Sequence, residues 1–399
     1  MSLVILADDL TGAADCAARC RAAGMAATIY LRPPDAPLPP GVVALTSDSR
    51  HLLTQQAAER VRAMATALGS RAGAATWYKK IDSTLRGHLG VELDAMLDAL
   101  AQRWAVVCPA FPAQGRGLHH GHLVCAPSPA HPAHLPTLLA QQSRRVVAAV
   151  PLEDVRAGVG PLAAQLARQA QQAHLLVVDS LTDDDLRTVV AAVEQALPDA
   201  LLCGSAGLIG ALAAARAGEA AWRAGDTSPA LPPPGPGPAL LVVGSGSAPA
   251  HRQIAYLRRQ RVATLEAGSG PIPDRADDLL LHLPEPPPDA ALEGAAARAH
   301  ATELAVTALA AIARVRPALL VLSGGDTAIA VLQRLGIERL EVLRELLPGI
   351  PLTWGVDRQG HGYHVVLKAG SFGDDTTLAI LLKRVRDELG SWASCTLSG

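Results

Sequence analysis

Residues 323–327 read Ser-Gly-Gly-Asp-Thr, between the apolar run 318–322 and the helix-like run 328–333. A strand that stops at two glycines and restarts as a helix leaves backbone N–H groups facing a gap, and such a gap attracts phosphate. Asp326 adds a carboxylate suited to Mg2+ or a ribose hydroxyl, and Thr327 adds a hydroxyl at the helix entrance. Two further junctions share this form. Val243 leads into Gly244-Ser245-Gly246-Ser247, and Leu367-Lys368-Ala369 leads into Gly370-Ser371-Phe372-Gly373-Asp374. In an open parallel sheet the carboxyl ends of strands line one edge, so three such turns can meet one ligand. Taken singly, each turn also serves plain helix-on-sheet packing.

A second set of residues lies near the N-terminus. Asp8-Asp9-Leu10-Thr11-Gly12 follows the first apolar run, with Asp15 six positions beyond Asp9. Adjacent aspartates at a strand end are costly unless they meet a cation, a hydroxyl or a base. The alternative is that Asp9 or Thr11 caps the next helix. Leu10 breaks the alternate-aspartate pattern of a haloacid-dehalogenase phosphatase. Further on, Lys79-Lys80-Ile81-Asp82-Ser83-Thr84-Leu85-Arg86-Gly87-His88 mixes cations, hydroxyls and an acid. Lys80, Ser83 and Arg86 suit a small carboxylate, which arginine can hold bidentately, and Asp82 suits orienting or deprotonating a hydroxyl. A capped helix with a charged first turn is the bland alternative. Residues 109–116 read as a rigid pocket loop. His119, His120 and His122 have no carboxylate at a metal-site spacing and read as exposed polar groups. Asp179 and Gly204-Ser205-Ala206-Gly207 mark two more strand ends.

These residues need a scaffold that ends strands side by side, and 399 residues allow two domains. The 49% hydrophobic content with 3% aromatics suits Val/Leu strands alternating with Ala/Leu helices. Strands are expected at 3–6, 42–45, 105–108, 175–178, 201–203, 239–243, 318–322 and 363–368. Helices are expected at 55–68, 162–172, 249–260, 290–315 and 376–389. The predicted class is α/β, with two domains, each a mostly parallel sheet flanked by helices, and the active site in the cleft between them. Domain 1–227 is separated from domain 239–399 by the proline-rich linker 228–238, and 284–288 reads as a surface loop. A net charge of -2 leaves no basic footprint for nucleic acid. Six scattered cysteines without a CxxC pair predict no disulfide framework. With no basic leader and no apolar run near ~18 residues, a soluble cytoplasmic protein is expected, with no membrane partner.

The ordered motifs at 7–13, 80–87, 109–112, 204–208, 244–245, 323–328, 348–351 and 368–373 closely resemble the four-carbon acid sugar kinase family. The resemblance implies an ATP-dependent kinase acting on the terminal hydroxyl of a small sugar acid. D-threonate or D-erythronate is the expected acid, and 3-oxo-tetronate the alternative. It also implies an N-terminal acid-sugar domain and a C-terminal nucleotide domain. Carried over by position, Asp8, Asp9, Thr11, Lys80, Asp82, Ser83 and Arg86 form the acid-sugar site, with Asp9 or Asp82 as base. Ser245, Ser247, Gly324, Gly325, Asp326, Thr327, Gly370, Ser371 and Gly373 form the ATP site, with Mg2+ on Asp326 or Asp374. The partners are the sugar acid and ATP, with a homodimer as candidate assembly. Ala250 stands where relatives often have Thr, and the Pro/His-rich segment 119–134 departs from the family form. A non-catalytic nucleotide or sugar-acid binder is one rival; carboxylates able to act as base beside an anion site argue against it. A kinase of a larger sugar is another, disfavoured by the short cluster at 80–86.

Overall fold

The computed structural model describes residues 2–73, 75–125, 133–217, 237–273, 278–284 and 294–395. Most of the expected linker and of the 284–288 loop lies outside these residues. The chain divides into two compact units, Met1–Asp226 and Thr227–Gly399. Among the described residues no helix is long and apolar enough to cross a membrane.

The first unit runs β1 (Ser2–Ala7), α1 (Leu10–Ala22), β2 (Ala27–Tyr30), β3 (Gly41–Thr46), α2 (Thr54–Ala72), β4 (Thr76–Lys80), α3 (Leu89–Ala99) and β5 (Ala105–Cys108). A hairpin of β6 (Gly117–His119) and β7 (His122–Val124) follows. Then come α4 (Leu135–Gln142), β8 (Val147–Val150), α5 (Leu152–Arg156), α6 (Val159–Gln169), β9 (Leu175–Val178), α7 (Asp183–Ala196), β10 (Leu201–Gly204) and α8 (Ala206–Arg216). The strand order is β2-β3-β1-β4-β10-β5-β9-β8, all parallel. Strands β1, β3 and β5 are continuous apolar runs because helices cover both faces of such a sheet. Their side chains, with Leu93 and Met96 of α3 and Val61 and Leu68 of α2, form one buried core.

The second unit runs β11 (Ala239–Val243), α9 (Ala248–Arg259), β12 (Ala263–Glu266), β13 (Asp278–His282), α10 (Gly294–Val315), β14 (Leu319–Ser323) and α11 (Gly325–Leu335). It ends with β15 (Arg339–Leu347), β16 (Ile350–Val356), β17 (Gly362–Lys368) and α12 (Thr377–Cys395). Here the order is β12-β13-β11-β14-β17-β16-β15. The first five strands are parallel, whereas β16 and β15 add antiparallel pairings that the expected pattern did not contain. Leu241, Val321, Val366 and Leu352 center its core with Leu381 and Val385 of α12. Each such side chain, fully buried, contributes about 1.5–3 kcal/mol.

Candidate active site

In the first unit Ala7 is in register with Thr46 of β3 and Lys80 of β4, so the segments after these three strands leave one edge. Asp8 and Asp9 come from the first, Arg50 from the second, and Asp82, Ser83 and Arg86 from the third. Arg50, absent from the expected set, links them. Its Nε and Nη2 donate to Asp8 Oδ2 and Oδ1 at 2.7 and 3.0 Å, and its Nη1 donates to Asp9 Oδ2 at 2.9 Å. Burial alone would depress the guanidinium, but Asp8 and Asp9 hold it well above its ordinary value. The signal available in sequence was the rule applied elsewhere: Ser47-Asp48-Ser49-Arg50 also follows an apolar strand.

Asp9 performs the capping alternative while pairing with Arg50. Its Oδ1 accepts the Gly12 N–H at 2.8 Å and its Oδ2 accepts Thr11 Oγ1 at 2.7 Å. Burial would raise this carboxyl, yet Arg50, Lys80 and the Thr11 hydroxyl hold it below the usual range. A Cβ on Gly12 would come within 3.0 Å of Lys80 Nζ, so the lysine lies against the start of α1. Lys80 Nζ donates to the Ile81 carbonyl at 2.9 Å. Burial would lower the ammonium, but the surrounding Asp8, Asp15 and Asp9 hold it raised. Side chains alternate along a strand, and Lys79 meets different company. It is buried against Glu92 of α3 at 2.7 Å, and Ser49 Oγ donates to the other Glu92 oxygen at 2.6 Å.

Asp82 accepts from Arg86 Nε at 2.6 Å and Nη2 at 3.2 Å, and from the Thr84 hydroxyl. Burial would raise Asp82, but hydrogen bonding from Arg86 and the charges of Arg50 and Arg86 hold it far below the carboxylate range. Leu85 folds the loop back at φ 65°, a left-handed conformation that costs a leucine about 1–2 kcal/mol. The Arg86 side chain remains 60% exposed. Ser83 Oγ accepts from Arg116 Nη1 at 2.6 Å. Lys80, Ser83 and Arg86, grouped by sequence around one carboxylate, thus each hold a different partner.

The loop after β5 is tight, as its prolines imply: Phe111 N–H donates to the Arg116 carbonyl at 2.8 Å and Arg116 N–H to the Phe111 carbonyl at 3.1 Å. Asp179 shapes rather than lines the edge, accepting the His120 and Gly121 N–H groups at 2.6 and 2.9 Å. Ser205 caps α8 and donates to the Ala110 carbonyl at 2.6 Å. A carboxylate does approach the histidines, from α5: His119, His120 and Glu153 bring ligand atoms within 4.8 Å of one another at the surface. Sequence spacing hid it because Glu153 arrives from another element.

In the second unit Val243, Ser323 and Lys368 end their strands in register. The three turns touch. Gly244 N–H donates to the Ser323 carbonyl at 3.1 Å, Gly324 N–H to the Lys368 carbonyl at 2.9 Å, and Ser247 Oγ to the Gly370 carbonyl at 3.0 Å. A Cβ on Gly244 would overlap Thr327 Oγ1, and one on Gly370 would overlap Ser245 Oγ. Ser247 also caps α9, its Oγ accepting the Ala250 N–H at 3.4 Å. Among the described residues no side chain caps α11. Its first N–H groups, from Gly325 to Thr327, therefore lack helical partners, and its dipole favours an anion there. Asp326 is half-buried on that first turn, and Ser371 and Gly373 are exposed. Asp374 Oδ1 is engaged at the start of α12, accepting the Thr376 N–H at 2.9 Å and the Thr376 and Thr377 hydroxyls at 2.7 and 3.1 Å.

Residues 3–212 match the family model of a sugar-binding N-terminal domain, and residues 240–378 that of a nucleotide-binding C-terminal domain. A D-threonate kinase of Cupriavidus necator is 35% identical, with 95% of this chain and 96% of the relative covered. A 3-oxo-tetronate kinase of Burkholderia multivorans is 31% identical over 92% of this chain and 94% of its own. A D-erythronate kinase of Heliobacterium modesticaldum is 36% identical over 47% of each chain. A crystal structure from Salmonella typhimurium LT2 shares the fold, with a TM-score of 0.72 at 23% identity over 95% of this chain and 98% of that one. One from Haemophilus influenzae has a TM-score of 0.67 at 22% identity over 94% and 98%. With two family models spanning most of its length and kinase relatives aligned nearly end to end, the chain belongs to the four-carbon acid sugar kinase family.

Proposed function

We propose that the protein transfers the terminal phosphoryl group of ATP to the terminal hydroxyl of a four-carbon sugar acid bound in the first unit. D-threonate or D-erythronate is the proposed acid, and 3-oxo-tetronate the alternative. The observation that carries the reading is the matched charge of the strand edge: Arg50, Lys80 and Arg86 against Asp8, Asp9 and Asp82. A site of that kind takes an acid by exchange of partners. Arg50 and Lys80 are locked in burial, whereas Arg86 is exposed enough to turn. The substrate carboxylate takes Arg86 from Asp82, and Asp82, so released, accepts the proton of the reacting hydroxyl. Asp9, already bonded by Thr11, Gly12 and Arg50, orients the cations. Phosphoryl transfer depends mainly on positioning and charge neutralisation, so a weak base suffices.

The second unit is the proposed ATP domain. Its uncapped α11 and glycine turns, where a side chain would collide, fit a phosphate chain. Asp326 is the proposed Mg2+ holder, because Asp374 is occupied with Thr376 and Thr377. Bound Mg2+ would neutralise phosphate charge. A coupled ADP assay against D-threonate, L-threonate, D-erythronate and 3-oxo-tetronates tests the reading. ADP release dependent on one of these acids is expected, and ATP binding without turnover on any of them would favour a non-catalytic binder.

A further inference from the structure

We infer that Lys368 is the cation that meets the phosphate chain in the second unit, an assignment that rests on reading this unit as the ATP domain. Lys368 ends β17 and is fully buried. Its Nζ reaches forward to the carbonyls of Ala369 at 2.9 Å and Gly370 at 3.3 Å. The same Gly370 carbonyl accepts Ser247 Oγ, so the ammonium lies where the three turns meet.

What sets Lys368 apart is the company it lacks. The two other buried lysines of this chain are matched by acids: Lys79 by Glu92 at 2.7 Å, and Lys80 by Asp8, Asp15 and Asp9. Among the described residues no carboxylate pairs with Lys368. The acidic groups of the neighbouring segments are Asp326 on α11, Asp374, held by Thr376 and Thr377, and Asp375, paired with Arg252 at 2.7 Å. Two carbonyls solvate an ammonium without neutralising it, and an uncompensated buried charge is expensive. Burial accordingly pulls Lys368 down to about 7.

Two independent features at the same strand edge call for the same ligand. Ser323, in register with Lys368 on β14, is buried and its Oγ has no hydrogen-bond partner among the described residues. The next element, α11, starts uncapped. A buried cation without an acid, an unpaired hydroxyl and an open helix N-terminus are jointly satisfied by a polyvalent anion.

The test is calorimetric titration of the full chain with ATP, adenosine and inorganic tripolyphosphate, for wild type, K368M and K368R. Loss of a desolvated charge contact predicts about a hundredfold weaker ATP binding by K368M, unchanged adenosine binding, and K368R within tenfold of wild type. ATP binding by folded K368M within threefold of wild type, or equal loss in K368M and K368R, overturns the assignment. If K368M does not fold, wild type decides. At pH 8 ATP binding should take up nearly one proton, read from titrations in two buffers of different ionisation enthalpy, and no uptake overturns the assignment. Wild type that binds tripolyphosphate but not ATP or adenosine refutes the nucleotide reading while leaving Lys368 as the anion contact; binding of neither overturns both.

Discussion

Replacing Arg50 by Met should cost the first unit more than any surface change near the site. The guanidinium makes three hydrogen bonds to two carboxylates whose side chains are 4% and 17% exposed. Removing it leaves Asp8 and Asp9 with Lys80 and the more distant, exposed Arg86 as neighbouring cations. Breaking a buried pair from one side typically costs about 3–5 kcal/mol. At roughly 2–4 °C per kcal/mol for a domain of this size, the thermal midpoint of the first unit should fall by about 6–20 °C. The pH dependence carries a sign. Asp9 lies below its ordinary value in the folded chain, so its contribution is present above the unfolded value near ~3.9 and is lost as pH falls through the folded one. Without Arg50 the folded value rises, and acid unfolding should begin at higher pH than in wild type. Urea unfolding at pH 7.5 and acid titration followed by circular dichroism measure both effects. A double-mutant cycle with Asp8→Asn should return a coupling of at least about 1 kcal/mol. Arg50→Met stability within about 1 kcal/mol of wild type, with an unmoved acid midpoint, would refute the view that this arginine ties the strand ends together.

Arg86→Gln should raise KM for the acid by about 10–100-fold and leave KM for ATP nearly unchanged; steady-state kinetics showing equal effects on both would remove Arg86 from the acid's carboxylate. Asp82→Asn should lower kcat by about 100-fold or more with little change in acid KM, and an unchanged kcat would eliminate Asp82 as proton acceptor. Gly370→Ala forces a methyl onto Ser245 Oγ and should weaken ATP binding at least tenfold; ATP binding by the folded variant within threefold of wild type, read by calorimetry, would mean that the glycine serves something other than close approach. Because burial holds Lys368 at about 7 in the folded chain against about 10.5 unfolded, the unfolded chain binds the extra proton between these values. Stability of the nucleotide-free second unit should therefore rise from pH 7 to 9 by up to about 1.4 kcal/mol per pH unit, and Lys368→Met should flatten that slope in denaturant titrations.

The central parallel strands were mostly legible because strands covered on both faces are uninterrupted apolar runs, as at 3–6 and 175–178. Strands β2, β4, β8, β12 and β13 were not expected; β4 ends in two lysines whose burial depends on acids distant in sequence, above all Glu92. Strands β15 and β16 escaped because Glu341, Arg344 and Glu345 break the apolar pattern of the former and a proline sits early in the latter. At the candidate site the residue types were readable and the pairings were not. Asp9, Lys80, Asp82 and Arg86 announce charge at strand ends, but only the fold reveals that Arg86 faces Asp82 and that Arg50, more than 40 residues from Asp8 and Asp9, closes the cluster.

Asp179 holds the β6–β7 hairpin by two main-chain amides, those of His120 and Gly121, and so grips a segment whose side chains it does not read. Substitution at His119, His120 or His122 leaves both amides in place, and the hairpin keeps its seat. Such an anchor separates where a loop sits from what it presents. The hairpin's surface can thus be varied as a cassette, leaving Asp179 and Gly121 untouched, with the sheet beneath unaware of the exchange.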